Sequence, residues 1–361
     1  MKSMTINRIE LYRCEVEVNF NYWFGKREKD TVLLACVQAA EAGGWGEYLN
    51  FFGQNSFSQL QEYAAGLLGK DAMRLNAVLP NGPDAPAPIR ECLEIAVLDL
   101  VGKMSGLPVH TLLGGKKRDC VPGMPVIHLG TPEDMAEKVR KWDYRYFKVK
   151  VSCEPDRDVA IMEAIRKANP TCVLYVDFNC GYSDFDQAAK MIREMKKLRV
   201  SVIEDPVDMN IGLERYKELR EAKTGVKLMI DARARSLESV FEIVKHEAAD
   251  IINLHTSVQG GLFKALEKVA VARGAGIPCI VGSDGFIGIS DAAYQSLAGV
   301  ILDDGYPCEE VGGRIYHGTC IVEDPYLQKD GMIYLSDKPG LGVTVDSKKM
   351  EKIVVEKIVI Q

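Results

Sequence analysis

The sequence predicts an α/β protein built on a closed (β/α) barrel. From about residue 121 onward, hydrophobic strand-like runs alternate with helical patterns, and from 146–151 onward the runs end 24 to 27 residues apart. Regular alternation of this kind is typical of a parallel sheet covered by helices. Seven or more such units without a G-x-G-x-x-G turn favour a closed barrel over an open, doubly wound sheet.

The first 120 residues follow a different pattern and predict a separate α+β unit. Residues 4–50 alternate apolar and polar side chains like strands, and a helical stretch follows near 57–68. A loop with four prolines (Pro80, Pro83, Pro86 and Pro88) precedes a helix over 89–104 that is apolar on most faces, as expected of a helix buried between two units. The tail, 321–361, returns to short strands and is expected to fold back. We therefore predict a capping domain of residues 1–120, joined by 321–361, and a barrel of residues 121–320.

The elements of the barrel follow one another regularly. The expected strands are Met124–His128, Tyr146–Val151, Cys172–Asp177, Ser201–Glu204, Lys227–Asp231, Ile251–His255 and Pro278–Gly282. The expected helices include Asp156–Lys167, Asp184–Leu198, Ile211–Ala222, Leu237–Glu247 and Leu262–Arg273.

Composition excludes several classes of protein. The chain has 361 residues, of which 47% are hydrophobic, so a disordered protein is excluded. Acidic residues exceed basic ones by 51 to 45 with no basic stripe, so we expect no nucleic-acid partner. No apolar run is long enough to span a membrane, and the first ten residues lack an apolar signal region. Ten scattered cysteines without a C-x-x-C pair indicate reduced thiols, so we expect a cytoplasmic protein.

Charged side chains close the predicted strands, one set per βα unit. Lys148 and Lys150 end the second strand, and the next four strands end in Asp177, Glu204, Asp231 and His255. Beginning at Lys150, each of these residues follows the previous one by 27, 27, 27 and 24 residues. The carboxyl ends of barrel strands face the mouth where active sites lie. Three converging carboxylates repel one another unless a cation neutralises them, and an all-oxygen site suits Mg²⁺. The alternative is three isolated carboxylates in helix caps or surface ion pairs.

The lysine pair predicts a proton-transfer group. Lys148 and Lys150 lie two residues apart on a strand, so their side chains leave the same face. Two neighbouring ammonium groups lower each other's pKa, which makes a lysine usable as a base near neutral pH. A K-x-K sequence is otherwise common on a solvated strand edge.

Taken together, these residues resemble the enolase superfamily, in its mandelate racemase and muconate-lactonising branch. The resemblance spans essentially the whole chain and rests on the strand-end residues and on the segments Ala96–Lys103, Gly106–Pro108, Leu112–Gly115, Asp177–Asn179, Glu204–Pro206 and Gly260–Gly261. It implies a modified (β/α)8 barrel of the TIM type, an α+β capping domain built from both termini, and bound Mg²⁺. It also implies that Asp177, Glu204 and Asp231 are metal ligands.

The resemblance implies a mechanism as well. A carboxylate substrate chelates the metal, Lys150 removes the proton next to the carboxylate, and the metal stabilises the ene-diolate. Lys148 tunes Lys150 and contacts the carboxylate, and Asn179 is a candidate substrate-binding residue.

Several positions depart from the family pattern. His255 stands where the muconate-lactonising branch has a lysine, and Asp284 lies near the end of the next strand, so we predict a His–Asp dyad that acts opposite Lys150. The alternative is a histidine that only hydrogen-bonds in the barrel mouth. Arg233 shares a face with Asp231 and is predicted either to clamp a distal substrate anion or to separate the carboxylates. Glu309 or Glu310 is expected to end strand eight and to polarise the carboxylate, or to form a surface acidic pair.

Two N-terminal loops carry aromatic side chains and predict a lid that excludes water. Tyr22, Trp23 and Phe24 lie on the first loop, and Phe51 and Phe52 on the second. Core packing is the alternative for each loop. His128, which ends the first barrel strand, is a further candidate for the site.

The residues therefore predict a Mg²⁺-dependent enzyme that abstracts the α-proton of a small carboxylate. Opposed groups at Lys150 and His255 favour a racemase or epimerase; a dehydratase of acid sugars or hydroxy acids is the second reading. A phosphate-binding barrel and a catalytically silent barrel are weaker alternatives. The family resemblance implies a homo-oligomer.

Overall fold

The computed structural model describes residues 4–50, 56–79, 85–222 and 225–361. Four residues named above, Phe51, Phe52, Pro80 and Pro83, lie outside these ranges. The strands are β1 (Arg8–Tyr22), β2 (Gly25–Ala39), β3 (Ala42–Leu49), β4 (Cys120–Pro122), β5 (Val126–Ile127), β6 (Tyr146–Lys150), β7 (Val173–Asp177), β8 (Val202–Glu204), β9 (Lys227–Ile230), β10 (Ile251–Leu254), β11 (Cys279–Val281), β12 (Gln328–Lys329), β13 (Met332–Tyr334) and β14 (Val354–Ile360). The helices are α1 (Phe57–Ala65), α2 (Leu75–Val78), α3 (Ala87–Ser105), α4 (Val109–Leu112), α5 (Pro132–Lys141), α6 (Pro155–Ala168), α7 (Phe185–Lys197), α8 (Leu213–Glu221), α9 (Leu237–Lys245), α10 (Thr256–Gln259), α11 (Leu262–Gly274), α12 (Ile289–Ile301), α13 (Gly313–Tyr316) and α14 (Ser347–Glu351).

Both ends of the chain build one antiparallel sheet, in the order β14-β1-β2-β3. The C-terminal strand pairs with β1 in a register that sets Ile9 opposite Ile360, as the returning tail predicts. Helix α3 packs against β3, where a Cβ atom at Gly44 or Gly46 would collide with the helix backbone. The small residues therefore let the buried helix approach the sheet closely.

The central part of the chain forms a curled parallel sheet of seven strands, in the order β11-β10-β9-β8-β7-β6-β5. These strands match the seven predicted runs, and α6 to α9 and α11 match the five predicted helices. The fold class is therefore confirmed. The position of an eighth barrel strand, between β11 and β5, holds no regular strand. Two backbone hydrogen bonds join the sheet edges there. The Glu309 N–H donates to the Val281 carbonyl on β11, and the Cys308 carbonyl accepts from the Met124 N–H near β5.

The tail also forms a third, three-stranded sheet, in the order β12-β13-β4, in which β13 pairs with the short strand β4 that precedes the barrel. The domain boundaries at 120 and 321 stay a proposal. No helix in the part of the chain that the structure describes is long and apolar enough to cross a membrane.

A buried carboxyl group joins the capping sheet to the barrel. Glu47 on β3 is fully buried, and its oxygens accept hydrogen bonds from the backbone N–H groups of Ile287 (2.6 Å), Ile289 (2.9 Å) and Ser290 (3.0 Å) at the start of α12. The first turn of a helix has no partners of its own for these donors. Glu47 therefore supplies the cap of α12 from another layer of the fold.

We expect Glu47→Ala to destabilise the protein strongly. Each buried donor left without an acceptor costs about 1–3 kcal/mol, so the loss in unfolding free energy is about 3 kcal/mol or more. Chemical denaturation of the variant measures it, with Glu62→Ala on the exposed face of α1 as the control. An unfolding midpoint equal to that of the control would show that the link contributes nothing.

Candidate active site

The strand registers bring the charged strand ends to one level of the barrel. Lys150 pairs with Asp177 across β6 and β7, and Asp177 pairs with Glu204 across β7 and β8. Asp231 and His255 follow β9 and β10 directly. A cavity of about 320 Å³ opens at this level and is lined by Lys148, Lys150, Asn179, Asp231, His255, Asp284 and Glu309, with Phe20, Tyr22, Phe24, Arg27, Val126, His128, Arg235, Val258, Ser283, Gly285 and Tyr316.

Both lysines are held by carboxylates. The Lys148 ammonium lies 2.6 Å from Glu204, 3.1 Å from Glu309 and 3.3 Å from Asp177. Lys150 donates to the Oδ2 atom of Asp177 at 2.5 Å. Burial lowers the pKa of both lysines, but the surrounding carboxylates outweigh it and raise both values above normal. Lys148 does lower the pKa of Lys150, as the sequence predicts, but this effect is smaller than that of the carboxylates, so the net shift is upward.

Three acidic side chains form a compact oxygen cluster. Glu204, Asp205 and Asp231 each place a carboxylate oxygen within 4.8 Å of the other two. Burial, together with the charge of Asp231, raises the pKa of Asp205 to about 7. Asp177 belongs to the lysine side of the site: burial opposes its ionisation, but Lys150 and Lys148 hold its pKa at about 2.

The cluster fits a divalent cation. The Oδ1 atom of Asp205 is buried and has no hydrogen-bond partner among the described residues. Its Oδ2 atom accepts from the N–H groups of Asp231 and Ala232, which fixes the side chain against the β9 loop. An oxygen-only donor set of this kind is what Mg²⁺ prefers. Sequence reasoning missed Asp205 because neighbouring strand residues normally face opposite sides.

His255 and Asp284 lie together, as the sequence predicts. The Nδ1 atom of His255 lies 3.0 Å from Asp284 Oδ1, and Nε2 lies 3.6 Å from Asp231 Oδ2. Burial lowers the pKa of His255, but Asp231 and Asp284 outweigh it and raise the value to about 9. Among the described residues Nε2 is buried and makes no hydrogen bond.

The two glutamates after β11 have separate surroundings. Glu309 is buried beside Lys148 and also accepts from the Asn253 amide at 2.8 Å. That amide donates to Glu204 as well, at 3.1 Å, so Asn253 links the two carboxylates. Glu310 is buried too, and accepts from Ser283 and the Gly312 N–H. The surface-pair alternative is therefore excluded for both.

Arg233 does not occupy the position that the sequence predicts. Its Nη2 atom donates to the carbonyls of Asp208, Met209 and Ile211, and it is absent from the cavity lining. Arg235 lines the cavity instead and is exposed. Its Nε donates to the Ala232 carbonyl at 3.0 Å, and the described residues provide its terminal nitrogens with no acceptor.

Aromatic residues of the β1–β2 hairpin cover one side of the cavity. The Lys150 Nζ atom lies over the Tyr22 ring, 5.7 Å from the centre of that ring. Trp23 is 42% exposed, and its indole N–H donates to the Asn179 carbonyl at 3.3 Å. The Asn179 side chain in turn donates to Asp177. Trp23 and Phe24 are too exposed for core packing, whereas His128 stacks on the buried Phe20 ring.

Residues 132–349 match the model of the family described as enolase C-terminal domain-like. The N-succinyl-L-Arg/Lys racemase of Bacillus cereus is 26% identical over 302 residues, which is 80% of this chain and 79% of that protein. Its crystal structure has a TM-score of 0.90 at 25% identity and covers 99% of this chain and 100% of that one. The cis-3-hydroxy-L-proline dehydratase of Roseibium aggregatum is 30% identical over 328 residues, 88% of this chain and 86% of that protein.

These relatives are enzymes, and others like them are epimerases and cycloisomerases. The dipeptide epimerase of Cytophaga hutchinsonii, solved with Mg and D-Ala-L-Val, shares the fold with a TM-score of 0.85 at 23% identity, over 99% of this chain and 100% of that one. The family model covers more than half of the chain, and the fold, capping sheet included, matches the crystal structure of the Bacillus cereus racemase over 99% of this chain. The chain therefore belongs to the enolase superfamily, in its mandelate racemase and muconate-lactonising branch.

Proposed function

We propose that this protein is a Mg²⁺-dependent racemase or epimerase that moves the α-proton of a small carboxylate. The observation that supports it most is the presence of two proton-transfer groups on one cavity: Lys150 beside Asp177, and His255 beside Asp284. Two such groups let a proton leave one face of the α-carbon and return on the other. Of the two nitrogens of His255, Nε2 is the transferring one.

The cation site would use Glu204 and Asp231, with Asp177 or Asp205 as the third ligand. A bound Mg²⁺ supplies positive charge that stabilises an ene-diolate and offsets the carboxylates that now hold Lys150 protonated. Lys148 stays between Glu204 and Glu309, where its charge orients both carboxylates. Asn179 and the aromatic hairpin of Tyr22 and Trp23 enclose the substrate and exclude water.

We expect Mg²⁺ to stabilise the wild-type protein and Glu204→Gln to abolish the effect. At a hundred times the dissociation constant, binding adds about 2.7 kcal/mol of stability, which thermal unfolding detects. Comparing Asp177→Asn with Asp205→Asn identifies the third ligand, because the variant that lacks it loses more Mg²⁺ affinity than the variant that lacks only a neighbouring charge. The matched control is Glu194→Gln on α7, a half-buried carboxylate paired with Lys197. Unchanged Mg²⁺ stabilisation of Glu204→Gln would contradict the site.

A dehydratase is the second candidate, and one observation favours it. The Asp284 carboxylate lies 3.0 Å from His255 Nδ1 and favours the protonated imidazole, which could donate a proton to a leaving hydroxyl. The dehydratase relative at 30% identity acts on a hydroxylated amino acid. Suitable test substrates are therefore N-succinylamino acids, dipeptides and hydroxyprolines, offered with Mg²⁺ in D₂O. Deuterium at the α-carbon supports proton abstraction, and loss of water identifies the dehydratase.

The distal-anion contact proposed for Arg233 fits Arg235 better. We expect Arg235→Gln to raise KM about tenfold, or about 1.4 kcal/mol, for substrates with a second negative group, because Arg235 lines the cavity and the described residues give its guanidinium no carboxylate partner. Substrates without that group should keep their KM. Steady-state kinetics on matched substrate pairs measure the difference, and an equal change for both members of a pair would exclude the contact.

We further propose a cytoplasmic homo-oligomer. The ten cysteines are all free, which supports a reducing location. Size-exclusion chromatography with light scattering tests the oligomeric state.

A further inference from the structure

The turn after His255 contains buried hydroxyl groups that the proposed mechanism does not use. Thr256 and Ser257 begin the short helix α10, and both are buried. The Ser257 hydroxyl donates to Asp284 Oδ2 at 2.6 Å, while the other oxygen of Asp284 lies 3.0 Å from His255 Nδ1. Both oxygens of the carboxylate are therefore engaged, and its plane is fixed relative to the imidazole.

Ser257 is itself held by residues from two other layers of the fold. Its backbone N–H donates to the Tyr294 hydroxyl at 2.9 Å, and that hydroxyl donates to Glu91 Oε1 at 2.8 Å. The Thr256 hydroxyl donates to the same oxygen. Tyr294 belongs to α12 and Glu91 to α3 of the capping region, and both side chains are fully buried. A chain of hydrogen bonds thus runs from α3 to the dyad.

We propose that Ser257 is a positioning residue for His255, anchored by Tyr294 and Glu91, so that the capping region sets the orientation of the barrel's second proton-transfer group. The inference rests on the proposed function. An imidazole transfers a proton efficiently only when its partner fixes one tautomer and one ring orientation. Without the Ser257 hydroxyl, Asp284 can rotate and His255 loses its fixed direction. Lys150 lies outside this chain and keeps its own partner, Asp177.

The first test measures α-proton exchange in D₂O separately for the two enantiomers of a substrate. We expect Ser257→Ala to lower exchange on the His255 face by about 10–100-fold and to leave the Lys150 face within about twofold. Tyr294→Phe should act on the same face, more weakly, and Ser257→Thr should restore the rate because it restores the hydroxyl. An equal loss on both faces, or no loss on the His255 face, would overturn the proposal.

A hydrogen bond between helix α12, which carries Tyr294, and the C-terminal tail provides matched controls. Ser296 on α12 is a buried serine whose hydroxyl lies 2.9 Å from the Tyr326 hydroxyl, away from the residues that line the cavity. Ser296→Ala and Tyr326→Phe therefore remove a similar buried contact without touching the dyad. A loss that Ser296→Ala reproduces on the His255 face would also contradict the proposal, because it would reflect general packing.

A second readout does not depend on catalysis. With histidine labelled by ¹⁵N, the two ring nitrogens of His255 give separate resonances, assigned by their disappearance in His255→Gln. We expect Ser257→Ala to shift them and Ser296→Ala to leave them in place. If Ser257→Ala shifts the His255 resonances while the wild-type enzyme exchanges no α-proton, the result supports the positioning role and rejects the proposed function. An unchanged His255 spectrum in Ser257→Ala would reject the positioning role itself.

Discussion

Replacement of Lys150 by alanine is expected to lower the racemisation rate about 10²–10⁴-fold and to abolish exchange on one face of the α-carbon. A positioned general base contributes about 10²–10⁴-fold, and Lys150 lines the cavity beside the aromatic hairpin, its Nζ atom 5.7 Å from the centre of the Tyr22 ring. Exchange on the opposite face should survive, because His255 has its own partner. Exchange followed by NMR with each pure enantiomer measures both effects.

Two controls make the Lys150 result specific. Lys141→Ala removes an exposed lysine at the end of α5 and should leave the rate unchanged. Lys150→Arg keeps the charge but cannot release a proton near neutral pH, so it should be as inactive as alanine. Racemisation by Lys150→Ala at the wild-type rate would exclude Lys150 as the base.

His255→Gln is expected to give the mirror-image result. Racemisation should fall about 10²–10⁴-fold, exchange on the His255 face should disappear, and exchange on the Lys150 face should persist. The control is His246→Gln, a half-buried histidine beside Glu242 at the end of α9, which should behave as the wild type. Equal loss of exchange for both enantiomers would mean that His255 supports the structure and does not transfer a proton.

The fold could be predicted from the sequence because its signals are periodic. The runs that became β6 to β11 are short, apolar and regularly spaced, and regular spacing is what a parallel barrel requires. The closure of the barrel at its eighth strand position could not be predicted. Cys308 and Glu309 join the sheet edges there through a few backbone hydrogen bonds and do not form a regular strand.

The site was predictable wherever a residue directly ends a strand. Lys150, Asp177 and Glu204 stand opposite one another in the observed registers. The alternation of side-chain faces that holds along a strand does not continue into the loops that follow it. Asp205 has a left-handed backbone (φ 40°), which breaks the alternation of faces beyond β8 and accompanies its place beside Glu204. Strand β9 ends at Ile230, so Arg233 does not share a face with Asp231.

The direction of the lysine pKa shifts could not be predicted from the sequence, for a different reason. The sequence shows Lys148 next to Lys150, and so their repulsion can be inferred. It does not show that Asp177, Glu204 and Glu309 all lie within 3.3 Å of Lys148. Opposite charges at that distance in a buried site outweigh one like charge. The balance depends on tertiary contacts.

The most direct measurement of the central claim is the fate of a single pure enantiomer incubated with the wild-type enzyme and Mg²⁺ in D₂O. NMR and circular dichroism would follow α-deuterium and configuration together. We predict that deuterium enters as the configuration inverts and that, apart from this isotope exchange, the formula does not change. Deuterium entry with loss of water would replace the racemase by a dehydratase. Absence of exchange across all the substrate classes, with Mg²⁺ bound, would contradict α-proton abstraction by this site.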